Sequence, residues 1–131
     1  MEQPFVGSEA TAHRLVAKSR LCTSYTRLFR DVYVDPDIEV TAALRAKAGW
    51  LWTRRRGVVA GMSAAALHGS KWVDATSAVE LIYDNRHRPS GIQTRGDRLE
   101  RDEIGFVDGV PVTSPARTVL DVSSARRGGA A

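Results

Sequence analysis

The chain has 131 residues, 43% hydrophobic and 26% charged, which suits one globular domain, or two small pieces sharing a core, and excludes wholesale disorder and collagen-like repeats. No apolar run approaches the ~20 residues that span a bilayer, no signal-peptide core is legible, and the single Cys22 can form no internal disulfide, so a cytoplasmic protein without membrane contact is expected. Nineteen Lys and Arg, all but three of them Arg, against fifteen Asp and Glu leave a net charge of +4, which permits a nucleic-acid partner without requiring one.

Residues 1–30 carry a net +3, residues 31–53 a net −2 and the remainder +3. A basic segment followed by an acidic junction suggests two parts, residues 1–35 and residues 36–124, ahead of a tail at 125–131 that reads as disordered. Ordinary solvated faces would carry the same charges. Ser8 is placed to cap a short helix at 9–12. A second helix at 17–24 would turn Leu21 inward, with Lys18, Ser19 and Arg20 near its start. Residues 27–34 read as one strand, closed by Asp35-Pro36. Helix, turn, helix, strand is the outline of a reduced winged helix-turn-helix, short of the usual first helix.

Asp37 is the expected cap of a helix reaching Arg54, with Val40, Leu44, Ala48 and Leu51 on one stripe. Arg54-Arg55-Arg56 would close that helix against its dipole, or touch phosphate, and Gly57 would stop it. In Gly61-Met62-Ser63-Ala64-Ala65-Ala66-Leu67-His68-Gly69, Ser63 reads as the cap and Gly69 as the terminator of a short helix, with His68 at its end as a dipole partner or a satisfied buried histidine. Strands are expected at 79–83, 91–95 and 103–107, with a polar loop at 85–89. Asp108-Gly109 signals a two-residue hairpin. Ser114-Pro115 opens a last helix whose inner face would be Ala116, Val119 and Leu120. The fold class is therefore α+β: a reduced winged helix-turn-helix followed by a small domain of helices and antiparallel sheet.

Most catalytic chemistry lacks its residues. Cys22, His13, His68 and His87 show no paired metal-ligand spacing. Gly61-Met62-Ser63-Ala64-Ala65 lacks the closing glycine of a nucleophile elbow, and no phosphate-binding glycine loop occurs. Asp97, Glu100, Asp102 and Glu103 alternate with Arg98 and Arg101, as a solvated turn would, without the nearby lysine of a metal-dependent nuclease. No enzyme activity, cofactor or metal is expected. DNA contact remains open: Lys18, Ser19 and Arg20 have donors able to reach base edges or phosphates, and Arg27 and Arg30 could meet the backbone as a wing does. The same residues also suit a charged surface around a small core. Trp50, Trp52 and Trp72 read as core, or alternatively as a partner face.

Gly7-Ser8-Glu9-Ala10, Leu28-Phe29-Arg30-Asp31-Val32-Tyr33-Val34, the Gly61–Leu67 run continuing to Gly69, and Gly109-Val110-Pro111-Val112-Thr113-Ser114-Pro115-Ala116-Arg117-Thr118-Val119-Leu120-Asp121 occur in this order. Together they resemble the N-terminal half of actinobacterial proteins related to the abortive-infection (AbiEi-type) antitoxins. That resemblance covers roughly residues 5–122. It implies an N-terminal winged helix and a central antitoxin-like domain, in a DNA-binding transcriptional regulator of a toxin–antitoxin system. DNA contacts would then fall on the helix holding Lys18, Ser19, Arg20 and Ser24, and a cognate toxin would meet the central domain. Double-stranded DNA bound by a homodimer is the expected mode of action. Longer relatives continue past the position of Asp121 into a domain similar to very-short-patch-repair and restriction nucleases. The tail at 126–131 therefore reads as the end of a shortened chain, and the alternative is an inactive recognition half of such a nuclease.

Overall fold

The computed structural model describes residues 3–85 and 87–129, with side chains through Ser124. It is a mixed α and β structure with two sheets. The chain opens with β1 (Phe5–Val6), α1 (Gly7–Ala12) and α2 (Lys18–Ser24), followed by β2 (Thr26–Phe29) and β3 (Val32–Val34). These strands form an antiparallel sheet in the order β1-β3-β2. The single strand expected at 27–34 is thus a hairpin, turned at Arg30 and at Asp31, whose φ is 60°. Aspartate tolerates that left-handed conformation better than most residues. A register shift between Arg27 and Phe29 lets both Phe29 and its partner Val32 be buried, which hid the turn from a two-residue apolar period.

Ser8 does not cap α1 as expected, because it lies inside the helix. Its Oγ donates to Asp31 Oδ2 at 2.6 Å and its N–H to Oδ1 at 3.0 Å, so the cap comes from the hairpin turn. Leu21 does point inward, joining Ala10, Val16 and Tyr33 in a small cluster flanked by Phe5 and Tyr25. Alternation along β3 sends Val32 to the opposite face from Tyr33. There Val6, Phe29 and Val32 share one core with Ala46, Ala48 and Leu51 of α3 (Ala42–Trp52). The core therefore runs continuously across residue 35.

Thr41, not Asp37, caps α3: its Oγ1 accepts from Leu44 N at 3.2 Å. Asp37 instead donates its N–H to Asp35 Oδ1 at 2.9 Å, which locks a turn ahead of the helix. The chain continues through β4 (Val58–Val59), α4 (Gly61–Leu67), β5 (Val79–Ile82), β6 (Ile92–Arg95), a short 3-10 turn, β7 (Ile104–Val107), β8 (Val110–Thr113) and α5 (Pro115–Gly129). The second sheet has the order β6-β5-β4-β8-β7. It is not the antiparallel sheet expected, since β5–β6 and β4–β8 are parallel. The segment between β5 and β6 carries the chain back to its starting edge, and the β4–β8 pair joins strands far apart in sequence. The Asp108-Gly109 hairpin forms as expected, with φ of 51° and 78° at its two central residues.

Ser63 is buried within α4 rather than capping it, and its Oγ accepts from Glu80 N at 3.0 Å. Glu80 supplies the cap, taking Met62 N–H on Oε2 at 2.7 Å. His68 ends α4, with Nε2 2.8 Å from Thr113 O. Ser114 opens α5 as expected, accepting from Arg117 N at 3.2 Å. The expected inner face of α5 is wrong, however: Val119 and Leu120 are 65% and 63% exposed. Thr118 faces inward instead, its hydroxyl 2.7 Å from that of Thr113. The backbone of α5 stays helical to Gly129, across much of the tail expected to be disordered; Ala130 and Ala131 lie outside the described residues. Trp50 and Trp52 pack against the core, whereas Trp72 is half-exposed.

Candidate nucleic-acid interface

The sequence-predicted contact residues gather on one small unit, built from β1 through β3. Lys18, Ser19 and Arg20 form the first turn of α2, Ser24 ends that helix, Arg27 lies on β2 and Arg30 in the hairpin turn. All six are exposed. Leu21 sets the rotation of α2 by its burial. At 100° per residue, Ser19 then points away from the core, with Arg20 and Ser24 together on one flank and Lys18 on the other.

The described cations of this unit are all unpaired. Among the described residues, Arg14, Lys18, Arg20, Arg27 and Arg30 make no ion pair and no side-chain hydrogen bond. Among the described residues, six of the eleven cations elsewhere are engaged, while Arg56, Lys71, Arg88, Arg98 and Arg101 are exposed and unpaired. Lys47 meets Asp108 at 3.0 Å. Arg45 donates to the carbonyls of Ala75 and Ser77 and stacks over Phe29, 5.7 Å from the ring centroid. Arg95 and Arg117 bind Asp97 and Asp121.

The two described acids between β1 and the end of β3 are also occupied, by residues beyond that unit. Arg54 Nη2 lies 2.9 Å from Asp31 Oδ2. Arg55 grips Glu9 with two parallel bonds of 2.7 and 2.8 Å, and the Arg55 hydrogen bond holds the Glu9 carboxyl below the ordinary glutamate range. Sequence alone points to Arg54 and Arg55 as dipole partners of α3 and misses these roles. The acidic partners sit 23 and 46 residues away, so no local pattern carries the signal.

No protein-family model, no curated protein and no solved structure matches this chain.

The acidic stretch expected to be solvated has a different use. Asp97 and Glu103 close on Arg117 at 2.7 and 2.8 Å, and Asp121 joins them at 3.0 Å. These residues tie the start of α5 to the loop after β6 and to the start of β7. Among the described residues, no group of three His, Cys, Asp or Glu is placed to hold a metal ion, and no helix is long and apolar enough to cross a membrane.

Proposed function

We propose that this chain is a DNA-binding, antitoxin-like transcriptional regulator without enzymatic activity, acting in the cytoplasm as a dimer on double-stranded DNA. The observation carrying this reading is the set of five exposed cations, Arg14, Lys18, Arg20, Arg27 and Arg30, on one small unit with no carboxylate partner among the described residues. The order strand, helix, helix, hairpin, with sheet order β1-β3-β2, supports a winged helix-turn-helix that lacks its first helix. In that arrangement α2 enters the major groove, Lys18, Ser19, Arg20 and Ser24 face base edges or flanking phosphates, and Arg27 and Arg30 hold the backbone. A cognate toxin would meet the second sheet and its helices.

Fluorescence anisotropy with DNA from upstream of the coding sequence, against a scrambled duplex across a salt series, tests this reading. Preferential binding that weakens steeply with salt is expected. K18A/R20A should weaken binding about tenfold or more. It should also flatten the log–log salt slope by about 2, because each neutralised phosphate contributes about 0.9 to that slope. A folded double variant with unchanged affinity overturns the site, and a folded wild-type chain that binds neither duplex overturns the function.

One observation favours a protein-interaction module as the second reading. Exposed Trp72 and Val119, with Pro115 and Val122, line an open groove of about 290 Å³ between α4 and α5. Partner association without DNA binding is the outcome that reading expects.

A further inference from the structure

We propose that Arg55, with Arg54 beside it, sets the DNA affinity of the N-terminal unit without touching DNA, by neutralising carboxylates on that unit. The proposal rests on the DNA-binding reading above.

The turn after α3 is built at a conformational cost. Arg54 and Arg55 both adopt left-handed backbone, with φ of 58° and 65°, where glycine or asparagine is the usual occupant. Gly57 follows two residues later and does not take that role; its N–H is held by Thr53 Oγ1 at 2.9 Å. The left-handed turn directs both guanidiniums back onto the N-terminal unit, Arg54 to Asp31 on the hairpin and Arg55 to Glu9 on α1.

Seating that unit on α3 does not depend on these pairs. Val6, Phe29 and Val32 already share the core with Ala46 and Leu51. The Arg55 and Glu9 side chains remain 46% and 42% exposed, and pairs so open to water add little to stability. Their larger effect is on the field. With Glu9 and Asp31 paired, the five free cations act on an approaching polyanion with no unpaired carboxylate among the described residues from β1 to the end of β3. Losing one guanidinium returns a negative charge to the unit.

A charge cycle at Glu9 and Arg55 is the cleaner test, because Asp31 also caps α1 through Ser8. The variants are R55A, E9Q and E9Q/R55A, each checked for folding by circular dichroism and titrated with the upstream duplex in low and high salt. Arg55→Ala should weaken binding about threefold at ~0.1 M salt, Glu9→Gln should tighten it by a similar factor, and the neutral double variant should return to the wild-type value. All three differences should shrink as salt rises, since the charges act through screened space. If both single variants weaken binding alike, the pair only supports structure and the proposal falls. If E9Q/R55A stays as weak as R55A, Arg55 itself contacts phosphate and the proposal falls. If the wild-type chain binds while all variants equal it, the proposal falls and the function stands. A wild-type chain that binds no DNA removes both.

Discussion

Arg117 and Asp121, one helical turn apart on α5, are joined by a bond of 3.0 Å from Nε to Oδ1, and the rest of the same guanidinium reaches Glu103 and Asp97. One largely buried cation thus holds three carboxylates from three segments. Replacing Arg117 with alanine leaves Asp97, Glu103 and Asp121 close together, with Arg95 the one cation paired to any of them among the described residues. The variant should lose about 2 kcal/mol of stability in urea denaturation, below the full effect of breaking a buried pair because the acids are partly solvated. Charge-preserving Arg117→Lys should recover only part of the loss, since an ammonium cannot span three acceptors in a plane.

Glu103 and Glu9 are both shifted below the ordinary glutamate value of 4.5, the first by the hydrogen bond from Arg117 and the second by that from Arg55. A carboxylate whose folded pKa lies below its unfolded one stabilises the fold above the unfolded value. That contribution is lost as pH falls through the folded value. The urea midpoint should therefore decline from about pH 5 toward pH 3. The same curve for R117A should be flatter in that window, and an equally steep decline would exclude Glu103 as a source.

Gly61 carries a φ of +57°, and a side chain there would run into the Glu80 carboxylate that caps α4. Gly61→Ala should destabilise the fold by about 2 kcal/mol, combining backbone strain with displacement of the cap. Glu80→Ala should cost about 1 kcal/mol, the usual effect of losing a helix cap. Thermal melts of the two variants would check that order.

On α5, exposure and chemistry disagree with hydrophobicity. Leu120→Lys should change stability by no more than about 0.5 kcal/mol, because Leu120 is 63% exposed. Thr118→Val keeps the shape but leaves Thr113 without its hydroxyl partner, and should cost about 1 kcal/mol. Chemical denaturation of both variants tests which face of the helix is inside.

Features governed by neighbours in the chain are legible in the sequence. Leu21 turns inward because one apolar residue in a short polar helix has one direction to turn. Asp108-Gly109 and Ser114-Pro115 form the hairpin and the helix entry that the sequence announces, because turn type and helix entry depend on the backbone preferences of those residues themselves. The six candidate contact residues are long or hydroxyl donors on one segment, and the structure leaves all six exposed on a single unit.

Tertiary structure decided what depends on distant partners. Asp31 caps α1 and Glu80 caps α4 from elements that meet only after folding, so Ser8 and Ser63, the nearest plausible caps in sequence, took other bonds. The face of α5 follows Arg117, Asp121 and Thr118, because satisfying partly buried charges and hydroxyls outweighs burying Val119 and Leu120. Arg54 and Arg55 became partners of Asp31 and Glu9 because the left-handed turn after α3 brings them against the N-terminal unit. Backbone preference acts over a few residues and is written in the chain; the pairing of charges and caps is set by which elements packing brings together.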